Sequence, residues 1–441
     1  MGLHTMFQES LGLVAMSTFV LDQDSYAPFF ETVIRYLGGA LSAYALSGEP
    51  VLLARADDLG RMLLPAFNTP SGMPMYAVNT VTGQTKAGWG TNALWSEVAS
   101  NQMEYKYLSH LTGRTTYFEK TEDVMKLMYK ARNKDGIFPT MWDITGGRPA
   151  NQQFSVGAFA DSAHEYFLKQ WLLSGRSETK ARDLYIESAN AIINNLLYIT
   201  PKRQLLFVTD ANDGKPSYTF EHLSCFFPGL LALGVHTIPD LSPADKELHT
   251  WAAEGLAYTC WMSYADQATG LGPDEMKMAK WADDVQGKWI THVNQWKQDG
   301  RPGGVPPGLR QVPPAKKEDW EYAHQKTTYL LRPEAVESFY ILWRTTGEER
   351  WREYGWLVFE AIERHSRTQY GYASISQVDV LPAQLKNEMP SYFLAETLKY
   401  LYLLFTDEDI LPLQDWVFNT EAHPFPVFEW KPWERAHYNI T

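Results

Sequence analysis

Basic runs, long apolar runs and cysteines are what this sequence has least of, and each scarcity removes a class of protein. Lys and Arg number 39 against 52 Asp and Glu in 441 residues, a formal charge of −13, and the basic residues form no cluster. That balance excludes nucleic acid as the main partner, because a phosphate backbone needs a basic face. No run of about 18 uncharged apolar residues occurs, so no segment reads as a membrane-crossing helix. The opening stretch MGLHTMFQESLGLVAMSTFVLD lacks a basic leader and a clean apolar centre and does not read as a signal peptide. Only two cysteines are present, Cys225 and Cys260; their number alone favours two buried thiols. Linker composition is equally scarce. Only QDGRPGGVPPGLRQVPPAKK, residues 298–317, concentrates Pro and Gly, which makes it a surface loop within a single domain spanning 1–441.

Aromatic side chains are abundant, with 16 Trp and 24 Tyr, and 45% of the residues are hydrophobic. Two readings follow: rings presented to sugars beside carboxylates, or a large aromatic core. Composition does not choose between them.

Similar helix endings recur along the chain. AYALSGEP stops at Gly48, LSHLTGR at Gly113, QWLLSGR at Gly175, LLALGV at Gly234 and LWRTTGE at Gly347, and LYLLFTDED ends near Asp407. Glycine takes the left-handed position after a helix most cheaply, so each is a stop signal. The spacings are 65, 62, 59, 113 and 60 residues, and the long one is close to two periods, which places an unmarked stop near residue 290. A period of about sixty residues holds two helices and their turns. Such hairpins have too little core to stand alone and bury their apolar faces by closing into a ring. The expected fold is all-α, an (α/α)7 barrel.

Polar residues recur at one phase of this repeat. Glu31, Glu97, Asp161, His222, Glu334 and Glu396 lie 11 to 17 residues before successive stops, near the start of each terminated helix. Taken singly, each has a plain structural reading. Glu334 follows Pro333 and suits a helix N-terminus, Asp161 suits an N-cap, Glu31 pairs with Arg35 at i,i+4, and His222 suits a buried core histidine. Because Glu31 sits among Phe29, Phe30, Val33, Ile34 and Leu37, little of its helix is expected to face water. Together, six polar residues at one phase point to a shared axial cavity. Carboxylates around an aromatic-lined cavity suit glycosidic bond cleavage, which needs one acid and one nucleophile or base.

Six segments then resemble successive motifs of one family. FFETVIRYLGGALSAYALSGE, FADSAHEYFLKQWLLSGR, FEHLSCFFPGLLALG, YLLRPEAVESFYILWRTTGEERWREYGW, FLAETLKYLYLLF and VFNTEAHPFP are similar, in order, to glycoside hydrolase family 47, the class I α-1,2-mannosidases. The resemblance implies a Ca²⁺-dependent inverting hydrolase that removes α-1,2-linked mannose from high-mannose N-glycans. It implies Glu31 as general acid acting through a water, Glu334 as general base, and Asp161 as a competitor for the acid or a supporting role. Arg35, Glu165, His222, Arg332, Glu337, Glu396 and Glu421 would line the sugar subsite, with Tyr392 stacking under the ring in place of a family Phe. Thr420 would hold Ca²⁺ through its hydroxyl and carbonyl oxygens, and residues 415–430 would plug the barrel. Cys225 and Cys260 match the family's disulfide pair, which reverses the reading from their number and implies an oxidising, secretory-pathway compartment.

Departures from the pattern set the competing expectations. The family carries a further helix with a site carboxylate ahead of the MGL at which this chain begins, so the domain is expected to be N-terminally incomplete. Phe159 stands where endoplasmic-reticulum members have Arg and Golgi-type members have Leu, and Asp274 stands where the family has Glu. An active mannosidase, a mannose-glycan lectin on the same fold, and an unrelated (α/α) hydrolase remain the alternatives. Mannose release, as against glycan binding without release, separates the first two.

Overall fold

Two kinds of helix alternate along this chain, and their surfaces separate them. The computed structural model describes residues 2–17, 25–132 and 136–440. In the helix Asp161–Leu173 every residue from Ser162 onward is buried, as expected of an element enclosed on all sides. In Arg350–His365 the buried residues are Trp351, Gly355, Val358, Ala361 and Ile362, a single stripe at helical spacing with charge on the opposite face.

The inner helices are residues 29–47, Gln102–Thr112, Asp161–Leu173, Phe227–Thr237, Glu334–Thr346 and residues 393–405, each packed on the next in chain order, the first and last with one face exposed. Each of the first five continues into an outer partner: Pro50–Leu63, Thr115–Ala131, Thr179–Asn195, Pro243–Ala265 and Arg350–His365. His4–Met16 lies outside them against Pro50–Leu63. This inner and outer alternation is the architecture of the (α/α)7 barrel, of which the described residues supply these six inner helices and five outer partners. Short strands, gathered in six small sheets of two or three, decorate the helix connections; an all-α reading did not foresee them.

Most helix stops are where the sequence puts them. Gly48, Gly113 and Gly347 each close a helix with φ near +70°, a conformation that costs glycine nothing. Gly234 is a correction. Its helix runs on to Thr237, and a Cβ at Gly234 would come 2.1 Å from the Tyr185 hydroxyl. This glycine admits a neighbouring ring; it does not end a helix. The stop expected near residue 290 is a second correction. Trp289–Gln298 packs against the strand Leu197–Ile199 and the outer helix Thr179–Asn195. The long interval is one stretched connection, followed by irregular backbone from Asp299 to Lys316.

The C-terminal segment folds as a hairpin, Trp416–Phe418 paired antiparallel with Pro424–Pro426. It contacts the inner helices Gly38–Ser47 and Asp161–Leu173, and Phe418, Phe425 and Phe428 are buried. Gly38 makes the approach possible, since a Cβ there would lie 2.6 Å from Asn419 Nδ2. Cys225 and Cys260 form a disulfide with their Cα atoms 6.0 Å apart. It joins the turn before Phe227–Thr237 to the outer helix Pro243–Ala265. Replacing both cysteines by Ala should cost about 2–4 kcal/mol of unfolding free energy, read by denaturant unfolding. An unchanged midpoint would show that packing alone fixes this pair of segments.

Candidate active site

Charged groups converge at the end of the barrel where the inner helices start. A cavity of about 270 Å³ is lined by Glu31, Asp161, Glu165, Glu334, Glu337, Glu396 and Glu421, with Arg35, Arg332, Tyr392, Phe159 and Thr420. Of the residues expected from the sequence, His222 and Glu97 do not line it; His222 stands behind the wall, its Nδ1 2.7 Å from Glu334 Oε2. Glu97 is on a separate short helix, Trp95–Val98, and accepts from Trp89 Nε1 at 3.2 Å. It lies beside the cavity, close enough to Glu31 to feel its charge, and its neighbour Ser96 lines the wall.

Local backbone explains the convergence. Asp161 and Glu334 are the first residues of their helices, where free N–H groups favour a carboxylate. The inner helices at Glu31 and Glu396 contain π-helical turns, Thr32–Leu37 and Phe393–Thr397, an irregularity common at functional sites. Glu31 corrects one expectation: its side chain is 49% exposed, and Tyr36 on the same helix is also exposed. That face of the helix meets solvent despite its apolar sequence.

Neighbouring charges divide the carboxyl groups by protonation. Burial pushes Asp161 up to about 7; the Ser162 N–H opposes this, and Glu165 and Glu334 add to it. Burial would raise Glu334 as well, but the hydrogen bond from His222 and the nearby Arg332 guanidinium hold it below the ordinary carboxylate range. Arg332 Nη1 lies 3.7 Å from Glu334 Oε1, while its Nε donates to Asp274 at 2.5 Å. The shorter Asp274 thus keeps an acidic partner for this arginine. Burial also raises Glu337 to about 8 and Glu396 well above its usual value, the latter with help from the charge of Glu421.

Cations brace the ring. Arg35 donates through Nε to Glu31 at 2.7 Å and through Nη1 to Glu421, with its guanidinium 5.9 Å from the Tyr392 ring centroid. Lys169, which sequence reasoning passed over, is fully enclosed. It pairs with Glu165 and stands 3.8 Å from Glu337. Its i,i+4 spacing from Glu165 was a legible signal. Asn419 was also missed: its Oδ1 accepts from the Glu421 and His423 N–H groups at 3.0 and 2.8 Å. Its Nδ2 donates to Glu104 and to the Ile34 carbonyl, so it shapes the turn that carries Thr420. Phe159 has φ +78° and stands exposed at the rim, edge-on to Trp89 with centroids 6.4 Å apart.

A ring of carboxyl groups with aromatic side chains at its rim thus stands at one mouth of the barrel. Residues 1–427 match glycosyl hydrolase family 47, and the chain belongs to that family. It is 34% identical over 430 residues to mannosyl-oligosaccharide alpha-1,2-mannosidase IA of Drosophila melanogaster, covering 97% of this chain and 59% of the relative. It is 36% identical to the human mannosyl-oligosaccharide 1,2-alpha-mannosidase IC, covering 97% of this chain and 62% of the relative. Its identity to the human endoplasmic reticulum mannosyl-oligosaccharide 1,2-alpha-mannosidase is also 36%, covering 98% and 57%. The chain thus spans about three fifths of the length of these curated relatives. The structure superposes on an alpha-1,2-mannosidase from Trichoderma reesei with a TM-score of 0.82 at 26% identity, covering 96% of this chain and 87% of that one. A sugar epimerase from a ruminal bacterium, at TM-score 0.57 and 12% identity, shares the fold alone.

The raised Asp161 has a consequence for stability. Between its unfolded value near 3.9 and its folded value of about 7, the folded state holds a proton that the unfolded state has released. Stability therefore falls as pH rises through that window. Asp161→Asn should stabilise the metal-free protein at pH 8 more than at pH 4.5. The difference should be on the order of 1 kcal/mol, because the group stands on a solvated wall. Equal effects at both pH values in denaturant unfolding would contradict the assignment.

Proposed function

We propose that this protein hydrolyses terminal α-1,2-linked mannose from high-mannose N-glycans with inversion at the anomeric carbon. One observation carries the reading. Two carboxyl groups in one cavity have their protonation pushed in opposite directions, Asp161 up and Glu334 down, which is how acid and base roles are separated at neutral pH. Glu334 is the base that removes a proton from the attacking water. Asp161 retains a proton to give to the leaving oxygen. Glu31, the sequence's first choice of acid, stands at the same wall on Arg35 and is the second candidate. Arg35, Arg332, Glu337, Glu396 and Glu421 hold sugar hydroxyls, and Tyr392 offers a ring face. The relatives' names and the shared fold support this choice over a lectin that binds without cleaving.

Ca²⁺ belongs to the same proposal. No His, Cys, Asp or Glu cluster of three or more stands close enough to hold a metal among the described residues. The Thr420 hydroxyl and carbonyl oxygens have no hydrogen-bond partner there either. Thr420 lines the cavity with seven carboxyl groups, against which stand four cations among the described residues, Arg35, Arg332, Lys169 and Lys399. This all-oxygen, negatively charged setting fits a hard cation held by Thr420 and reached by carboxylates through water. When bound, the cation would polarise and orient sugar hydroxyls. The disulfide supports placement in the lumen of the secretory pathway.

Three experiments test the reading. NMR during early turnover should show β-mannose as the first product; α-mannose, or glycan binding with no release by the wild type, would contradict it. Glu334→Gln should lower the rate by at least ~10² on every substrate. Asp161→Asn should recover on a mannoside whose leaving group needs no proton, and recovery by Glu31→Gln in its place would transfer the acid role. Chelation should abolish activity, with restoration by Ca²⁺ and not by Mg²⁺, which holds a tighter octahedron. Thr420→Val should lose the Ca²⁺-dependent rise in Tm, a readout independent of turnover.

A further inference from the structure

Behind Glu334 the hydrogen bonding continues away from the cavity. His222 presents Nδ1 to Glu334 at 2.7 Å and Nε2 to the Tyr264 hydroxyl at 2.5 Å. We infer that Tyr264 is a positioning residue for the base, its hydroxyl donating to His222 Nε2 and so fixing the tautomer that donates Nδ1–H to Glu334. This rests on the reading of Glu334 as the base.

The direction follows from donor counting. A neutral imidazole has one donor and one acceptor nitrogen. If Nε2 carried the proton, the bare Nδ1 would face Glu334 Oε2 and the pair would need a proton on the carboxyl. Arg332, 3.7 Å from the other carboxylate oxygen, opposes that protonation. A buried phenol also needs an acceptor for its own O–H, and Nε2 supplies one. The chain of donors then runs from Tyr264 through His222 to Glu334, ending on the atom that must stay ionised.

The surrounding structure holds Tyr264 in place. It lies on the outer helix Pro243–Ala265 and is fully buried. Cys260, one turn earlier on that helix, is disulfide-bonded to Cys225, three residues after His222, so a covalent tie runs beside the hydrogen bond. A Cβ at Gly272 would lie 2.6 Å from the Tyr264 ring, and Tyr329 meets that ring edge-on at 6.0 Å. The charged and titratable groups facing the pair are Arg332, Asp161, Glu337, Glu396, Tyr329 and Tyr392. Asp274 is held on Arg332, and its carbonyl accepts the His222 backbone N–H at 2.9 Å.

Tyr264→Phe removes the hydroxyl and keeps the ring. With His222 freed, Glu334 loses its fixed donor, so its carboxylate is less stabilised and the acid limb of the kcat/KM profile should move to higher pH. At the optimum kcat should fall about 10-fold with KM nearly unchanged, as for loss of one charge-assisted hydrogen bond. Nitrogen-15 NMR of the His222 ring, assigned by its loss in His222→Asn, should show the Nδ1–H tautomer in the wild type and its loss in Tyr264→Phe. An unmoved acid limb together with unchanged ring nitrogens would overturn the inference. Should Tyr264→Phe fail to fold, Gly272→Ala displaces the same hydroxyl by pressing on the ring, and the same two readouts apply. A wild type that released no mannose would defeat the mannosidase reading alone, because the ring-nitrogen signals do not depend on turnover.

Discussion

Seven carboxyl groups cannot share a cavity of about 270 Å³ as seven free anions, and the rest of the structure depends on how that repulsion is relieved. Charges at a few ångströms in a partly dry site repel by several kcal/mol per pair. Two remedies are visible. Arg35, Arg332 and Lys169 pair with specific neighbours, and burial raises Asp161, Glu337 and Glu396 toward the neutral form. Glu334 takes the opposite course because His222 and Arg332 both act on it. A difference in proton affinity between two groups on one wall is what acid–base chemistry needs, and it arises here because burial acts unopposed by any cation on Asp161 but is overcome at Glu334 by His222 and Arg332.

That placement depends on the barrel. The helical acids enter from the starts of four inner helices, at Glu31, at Asp161 with Glu165, at Glu334 with Glu337, and at Glu396, so no local segment could assemble the set. The C-terminal hairpin adds Thr420 and Glu421 from a part of the chain that the helical repeat does not reach. It is held by Asn419, which satisfies two backbone donors and bridges to Glu104 and Ile34. Burial leaves Glu104 raised to about 7 even with the Tyr166 and Asn419 hydrogen bonds to it, so this anchor too is a carboxyl group tuned by its surroundings.

The ring and the acids Glu31, Asp161, Glu334 and Glu396 were legible because both follow from periodicity, whereas Arg35, Glu165, Arg332, Glu337, Tyr392, Thr420 and Glu421 came only with the resemblance to the family. Stops at Gly48, Gly113 and Gly347 use a backbone conformation that glycine favours, so they mark phase reliably. Carboxylates at that phase, Asp161 and Glu334 above all, fall at helix starts whose N–H groups welcome them. Gly234 misled because a glycine that makes room for Tyr185 has the same letter as one that ends a helix. The exposure of Glu31 was hidden because its apolar neighbours say nothing about which side of the helix is covered. Tyr264 was invisible for a stronger reason: it reaches the site from an outer helix, 42 residues from His222, and no spacing rule links the two.

Opposite protonation of Asp161 and Glu334 is the claim on which the account turns, and carbon-13 NMR of labelled Asp and Glu carboxyl groups tests it most directly. Assigned through Asp161→Asn and Glu334→Gln, the signals should show Asp161 losing its proton near pH 7 and Glu334 losing its proton below the ordinary carboxylate range. Titration in the reverse order, or of both groups together near pH 4, would contradict it.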